Sequence, residues 1–209
     1  MTSRRPSPLG GRRPTKDDLA QVSTTDPHGV DDILPGPGDP SPLRMLIVGI
    51  NPGLWTAAVN APFARPGNRF WPSLHRAGLT DHQVDCAAGL TEEDEQQLLG
   101  RGIGLTNLVG RATVRADQLA REELHEGGRR LVERVREMRP RSVAIAGITA
   151  YRTAFRLPRA KLGLQDPADV EEWPEDSLLW VVPQPSGLNA HANIDTLARD
   201  WREVWDSTR

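Results

Sequence analysis

Arg44-Met-Leu-Ile-Val-Gly-Ile-Asn-Pro-Gly53 is the stretch that decides the fold. Its unbroken apolar run is typical of a strand buried on both faces, as in parallel sheets. Further strands are predicted at 103–108, 142–146 and 178–182, and amphipathic helices lie between them, most clearly at 121–138. Strands that alternate with helices indicate an α/β fold. We therefore predict a three-layer sandwich with a short, mostly parallel central sheet flanked by helices.

The other predicted elements follow from capping residues and periodicity. Thr91 is a good N-cap and Gly78 a good helix stop. Helices are expected at residues 68–77, 91–100, 149–155 and 192–205, and a turn-rich loop at 51–67.

Residues 1–43 are rich in Pro, Gly, Ser and Asp and lack apolar periodicity. Such a segment buries too little surface to offset its ordering entropy, so we expect a disordered arm in front of a folded domain at 44–209. Residues 30–34 are expected to form a short helical entry to that domain. A second interpretation of the arm is that its Arg and Lys side chains bind nucleic-acid phosphates.

Composition narrows the class of protein. The formal net charge is −2, which is unlike a polycationic nucleic-acid coat protein but compatible with a local basic face. A single cysteine, Cys86, cannot form an internal disulfide, a zinc site or an iron–sulfur cluster by itself. We expect a cytoplasmic monomer with no metal, no cofactor and no membrane span.

Two Gly- and Pro-rich segments, 49–53 and 183–189, each follow a predicted strand. Ligands of open α/β sheets bind beyond the carboxyl ends of strands, so both segments are candidate site elements. The first segment is neither a phosphate-binding loop nor a nucleophile elbow, and neither segment carries a carboxylate for two-carboxylate glycosidase chemistry. From the residues alone, the better explanation of Asn51 is that it caps a tight turn.

Gly49-Ile-Asn-Pro-Gly53 followed by Pro62-Phe-Ala-Arg-Pro-Gly-Asn-Arg-Phe-Trp71 resembles the mismatch-specific uracil-DNA glycosylase and thymine-DNA glycosylase family of the uracil-DNA glycosylase superfamily. Pro185-Ser-Gly-Leu188 is similar to that family's second motif, and residues 105–114 and 123–131 resemble its bacterial members. The resemblance spans about residues 30–205. It implies a monofunctional glycosylase that hydrolyses the N-glycosidic bond of uracil in G:U and G:T mismatches of double-stranded DNA, with thymine and modified cytosines as further candidate substrates. In a bacterium it would be associated with the nucleoid.

The resemblance assigns the first motif to catalysis and to the pocket. Asn51 would position the attacking water, and the main chain at Gly49, Ile50 and Phe63 would recognise the pyrimidine edge. The Phe63 ring would stack on the flipped base, and Asn68 would help to shape the pocket. Phe63 as a loop anchor and Asn68 as a helix N-cap are the alternative interpretations.

The second motif would be the DNA wedge. Leu188 would fill the space left by the flipped nucleotide, Gly187 and Asn189 would contact the widowed guanine, and Ser186 would bind a flanking phosphate.

The chain departs from the family pattern at three places. Gln184 replaces an Asn, Asn189-Ala190 replaces Ser-Arg, and Trp55 replaces a small residue. Without this arginine, we expect a weaker wedge and weaker recognition of the opposite guanine, unless His191 or the arm substitutes for it. Trp55 is expected to narrow the pocket mouth.

Other functions stay open at this point. They are a glycosylase of the same fold with a different lesion specificity, a catalytically weak DNA-mismatch binding module, and a nucleotide-binding α/β protein.

Overall fold

The computed structural model describes residues 4–36 and 43–208. A five-stranded sheet in the order β2-β1-β3-β5-β4 runs through the centre of the domain, and only β4 is antiparallel to its neighbour. The strands are β1 Met45–Gly49, β2 Ile103–Asn107, β3 Ser142–Ala146, β4 Gly163–Gln165 and β5 Leu178–Val182. The predicted α/β fold with a mostly parallel sheet is confirmed. The short edge strand β4 was not predicted.

Helices cover both faces of this sheet. They are α1 Lys16–Ala20, α2 Leu54–Val59, α3 Phe70–Arg76, α4 Glu92–Gly100, α5 Arg121–Met138, α6 Ile148–Ala154 and α7 Ile194–Asp206. The prediction for α5 has the observed bounds, whereas α3 begins at Phe70 instead of residue 68. Helix α2 lies inside the stretch predicted to be a loop. No helix within the described ranges is long and apolar enough to cross a membrane.

Alternate side chains of β1 divide the core into two layers. Met45 and Ile47 pack with α3 and α7 on one face, and Leu46 and Val48 pack with α5 and α6 on the other. All four side chains are fully buried. Successive residues of a strand point to opposite faces, so a continuous apolar strand needs a helical layer on each side. This arrangement makes the three-layer sandwich.

Residues 4–36 lie against the domain, which differs from the disordered arm expected from composition. Ile33 is fully buried and exchanges backbone hydrogen bonds with Leu105 of β2, at 2.9 and 2.8 Å. Residues 30–34 therefore form an isolated bridge to the sheet edge and not the predicted short helix. A single buried isoleucine has no periodicity, so composition does not reveal this contact. Residues 1–3 and 37–42 of the expected arm lie outside the described residues.

Asn60 is the main anchor of this N-terminal segment. It ends α2 in the left-handed conformation at φ 49°, and its side chain donates to Arg5 O at 2.7 Å and accepts from Asp31 N at 2.8 Å. The Arg5 guanidinium in turn pairs with Asp31 at 2.7 Å. Although burial opposes it, hydrogen bonding from Arg5 and Asn60 lowers the pKa of Asp31 to about 2. Polar contacts thus hold a segment that has few apolar residues.

Candidate active site

A cavity of about 500 Å³ opens at the carboxyl edge of the sheet. Its walls include a residue at or just beyond the end of each central parallel strand, namely Asn51, Asn107, Ala146 and Gln184. A cavity of about 590 Å³ between residues 25–32 and α5 shares Asn107 but contains neither Asn51 nor the second motif. Because ligands of parallel sheets bind beyond the strand ends, we take the first cavity as the candidate site.

The structure brings most of the predicted site residues together in this cavity. We call residues 50–53 the Asn51 loop and residues 185–192 the Leu188 loop. The predicted residues that line the cavity are Ile50, Asn51, Phe63, Asn68, Ser186, Leu188 and Asn189. Gly49 and Gly187 are not part of its wall; both lie where the backbone closely approaches a neighbouring group.

Asn51 is held in one orientation by the loop that follows β2. Its Nδ2 donates to Thr113 Oγ1 at 2.8 Å, to Arg111 O at 3.1 Å and to Pro52 O at 3.2 Å. Carbonyl oxygens only accept hydrogen bonds, so this side of the amide must be the NH₂ group. Among the residues that the structure describes, none donates to Asn51 Oδ1. The turn cap that the sequence also allowed, with Oδ1 accepting from a nearby N–H, is not formed.

An ion pair supports the loop that orients Asn51. Arg111 Nε and Nη2 contact the two carboxylate oxygens of Glu123 at 2.5 and 2.8 Å, and Arg111 Nη2 also donates to Gln118 O. Glu123 lies in the first turn of α5 and accepts from Ala120 N at 2.9 Å. Hydrogen bonding from Arg111 lowers the pKa of the Glu123 carboxyl to about 2. The pair therefore ties the β2–α5 loop to the helix at neutral pH.

Phe63 has a strained backbone and one packed ring face. Its φ of 57° is in the left-handed region, which bulky residues rarely occupy. The ring stacks on Phe70, with centroids 4.0 Å apart and planes 21° apart. Trp71 Nε1 donates to Pro62 O at 2.9 Å and holds the turn. Within residues 4–36 and 43–208, the Phe63 N–H donates no hydrogen bond.

Gly49 makes room for the neighbouring strand end. A Cβ at Gly49 would lie 2.4 Å from Asn107 Oδ1 and 3.4 Å from Phe63 Cζ. A side chain at Gly49 would therefore displace two residues of the cavity wall. Gly49 and Asn107 are register partners in the sheet, which explains this proximity.

Asn68 has features of both interpretations considered above. Its Oδ1 accepts from Phe70 N at 2.9 Å, which satisfies one of the free N–H groups at the start of α3. The N-cap position itself belongs to Arg69, and Asn68 precedes it. The side chain of Asn68 also lines the cavity.

The Leu188 loop presents its leucine to solvent. Leu188 is 80% exposed, the most exposed large apolar side chain in the described part of the chain. Ser186 Oγ accepts from Leu188 N at 3.2 Å. Asn189 donates from Nδ2 to Gln184 O at 3.0 Å and accepts from His191 N at 3.1 Å. The Ser186 and Asn189 side chains thus stabilise the loop in the free protein.

A family model described as the uracil DNA glycosylase superfamily matches residues 35–207. The chain belongs to the uracil DNA glycosylase superfamily. This membership implies a DNA glycosylase, a hydrolase that acts on DNA in repair. The match begins at residue 35, before β1 and within the segment expected to be an arm.

Several cavity residues of this glycosylase were missed by sequence reasoning. Asn107 ends β2 beside β1, so the strand-end rule that selected Asn51 also applies to it. Val114 is 62% exposed at the cavity wall, and Arg65 lines the cavity without an ion-pair partner among the described residues. Only tertiary contacts reveal the last two. Trp55 does not narrow the mouth as expected, since it lies outside the cavity and donates to Ala87 O at 2.9 Å.

The glycosylase has little other reactive chemistry near the cavity. The described residues contain no group of three His, Cys, Asp or Glu side chains arranged to hold a metal ion. Cys86 is buried in the core, and burial raises the pKa of its thiol to about 12. Asp117 is the one carboxylate among the lining residues, and Arg115 pairs with it.

Proposed function

We propose that this glycosylase removes uracil from G:U mismatches in double-stranded DNA, with thymine and modified cytosines as further substrates. The proposal rests on the two motifs, which resemble the mismatch-specific and thymine-DNA glycosylase family, and on superfamily membership. The observation that carries it is the orientation of Asn51, whose oxygen is free while its nitrogen is bound on three sides.

Asn51 acts in this mechanism by orienting water. A neutral amide oxygen accepts a hydrogen bond from water but is a poor base. The N-glycosidic bond therefore breaks before the water attacks, giving an oxocarbenium-like sugar and a pyrimidine anion. Water then adds to the anomeric carbon, and the proton that it loses passes through solvent to the pyrimidine anion, which leaves an abasic site and the neutral free base. The preset amide supplies the water in one position.

The base is bound between the Asn51 loop and Phe63. The free face of the Phe63 ring stacks on the pyrimidine, while Phe70 supports the opposite face. The free Phe63 N–H and the main chain at Ile50 stabilise the charge that develops on the leaving base. Asn68 and Asn107 complete the polar part of the wall.

Leu188 fills the space that the flipped nucleotide leaves in the base stack. Extrusion of a base costs a few kcal/mol and costs less at a mismatch, so an apolar plug stabilises the flipped state. Arg65, exposed at the cavity and free of a carboxylate partner in the described ranges, binds a flanking phosphate. The Ser186 hydroxyl also binds this phosphate, once its hydrogen bond with Leu188 N is broken.

The lining residues favour hydrolysis by water alone. They contain no lysine for Schiff-base chemistry, and a single exposed carboxylate instead of the pair that a two-carboxylate mechanism requires. This composition supports a monofunctional glycosylase.

The test is single-turnover cleavage of labelled DNA that carries uracil opposite guanine, uracil opposite adenine or thymine opposite guanine, or uracil in a single strand. Alkali reveals abasic sites. We expect the fastest cleavage with uracil opposite guanine. Equal cleavage in every uracil context would contradict the mismatch preference. Absence of cleavage on all four substrates would contradict the activity, and mismatch binding without cleavage would identify a binding module instead.

A further inference from the structure

The Leu188 loop contains no helix or strand, yet it is held by one residue of another element. Arg69, the N-cap of α3, donates its backbone N–H to Pro185 O at 2.8 Å. Its side chain then reaches four further carbonyl oxygens of the same loop. The loop that is proposed to enter DNA is therefore held by a residue at the start of α3.

The side-chain contacts span the whole loop. Arg69 Nη1 donates to Ala192 O at 2.6 Å, to Asn189 O at 2.7 Å and to Ser186 O at 3.4 Å. Nη2 donates to Gly187 O at 3.2 Å. The planar guanidinium offers five donors in a fixed geometry, so it can bind several carbonyls that converge on one point. The carbonyls on both sides of Leu188 are therefore fixed relative to α3.

The charge of Arg69 is not neutralised by an acid. Within residues 4–36 and 43–208 no carboxylate lies within ion-pair distance of it, and all its side-chain partners are neutral carbonyl groups. A positive charge therefore remains beneath the loop that faces DNA. Both the geometry and the charge suit a loop that inserts beside phosphates.

A close backbone approach adds a second constraint on the loop. A Cβ at Gly187 would lie 2.6 Å from Gly67 O, so the loop packs directly on the turn that leads into α3. Arg69 and this contact fix the same part of the loop from the same side.

We propose that Arg69 is a positioning residue that presets the Leu188 loop, so that Leu188 is exposed and aimed before DNA binds. The inference rests on the proposed function. Presetting lowers the ordering cost that insertion would otherwise carry.

The effect of Arg69 must depend on the DNA stack if the proposal is right. Single-stranded substrate has no partner stack to fill, so the loop conformation matters less there. We expect Arg69→Gln to slow cleavage of uracil opposite guanine by about 10- to 100-fold, and cleavage of single-stranded uracil by much less. Arg69→Lys, which retains the charge but not the fork, gives an intermediate loss. The control is Arg76→Gln on the same helix, where Arg76 pairs with Asp195 of α7.

A double-mutant cycle separates positioning from general destabilisation. In a Leu188→Ala background, Arg69→Gln should change the duplex rate little, because the side chain that it positions is already absent. Equal loss on duplex and single strand, or additive losses with Leu188→Ala, would overturn the proposal. Gly187→Ala, which moves the loop by a different contact, should reproduce the duplex-selective loss if Arg69→Gln does not fold. Failure of the proposed function is visible separately, as wild-type protein that cleaves no uracil substrate.

Discussion

The Asn51 loop and the Leu188 loop both follow parallel strands and both line the cavity, but they are built in opposite ways. Asn51 is half-buried, and its amide is pinned by Thr113 and two carbonyls. Leu188 is 80% exposed on a loop whose backbone carbonyl groups accept hydrogen bonds from Arg69. Cleavage of the N-glycosidic bond needs a polar atom in a fixed position. Insertion into DNA needs an exposed apolar side chain that can move from solvent into the base stack. In the Asn51 loop a side chain is therefore held in place, whereas in the Leu188 loop the backbone is held in place.

The largest effect is expected from removing the fixed amide. Asn51→Ala should lower the single-turnover rate by about 10²- to 10⁴-fold on every substrate, because water loses its acceptor. Affinity for mismatched duplex should change little, since Asn51 does not lie on the exposed loop. Fluorescence anisotropy measures the affinity, and Gln96→Ala on the exposed face of α4 is the matched amide control. A wild-type rate for Asn51→Ala would refute the role of this side chain.

Removing the exposed leucine should affect duplex selectively. We expect Leu188→Ala to reduce cleavage of uracil opposite guanine by about tenfold, and single-stranded cleavage by much less, because the flipped state loses its plug. The comparison is the ratio of the two single-turnover rates. Leu164→Ala is the control, as Leu164 is 56% exposed on the edge strand β4. An unchanged ratio would mean that Leu188 has no role as a plug.

The sequence was most informative where one strand or helix decides the outcome. The strands at 142–146 and 178–182 and helix α5 have the predicted bounds, since continuous apolar runs and a long amphipathic period are local signals. Helix α2 has only six residues and no side-chain N-cap, and its preceding Pro-Gly pair suggested a loop. Its stability comes from Thr56, Ala58 and Val59, which are buried in the tertiary structure.

The sequence predicted the motifs of the site but not the residues that hold those motifs in place. Asn51 and Leu188 stand in recognisable segments, and the structure brings both to one cavity. Thr113 and Arg69 act across 62 and about 120 residues of sequence, so their contacts depend on the folded loops. The same limit applies to the N-terminal segment, where Asn60 binds residues 29 and 55 positions away. Composition reports propensity but not such pairings.

A smaller effect is expected from the support of Asn51. Thr113→Val removes the hydroxyl that accepts from Asn51 Nδ2 but keeps the shape of the buried side chain. The two carbonyl partners remain, so we expect a loss of about 3- to 10-fold, corresponding to one net hydrogen bond. This loss should be the same on duplex and single-stranded DNA, in contrast to Leu188→Ala. Thr153→Val on α6 is the control, and a duplex-selective loss would contradict the assignment.

The smallest expected effect is a difference in pH dependence between the contacts that support the two loops. Glu123 has a folded-state pKa of about 2 against an ordinary 4.5, so its pairing with Arg111 stabilises the fold fully above pH 4.5, and this stabilisation is lost as the pH falls towards 2. The difference in unfolding free energy between wild type and Glu123→Gln should therefore shrink in urea titrations at about pH 7, 4.5 and 3. The exposed pair of Glu172 and Arg136 supplies the control variant Glu172→Gln. Arg69 holds the Leu188 loop through carbonyl groups that do not titrate, so the corresponding difference for Arg69→Gln should stay constant over this range. A Glu123→Gln difference that does not change with pH would show that this ion pair does not stabilise the Asn51 side of the cavity.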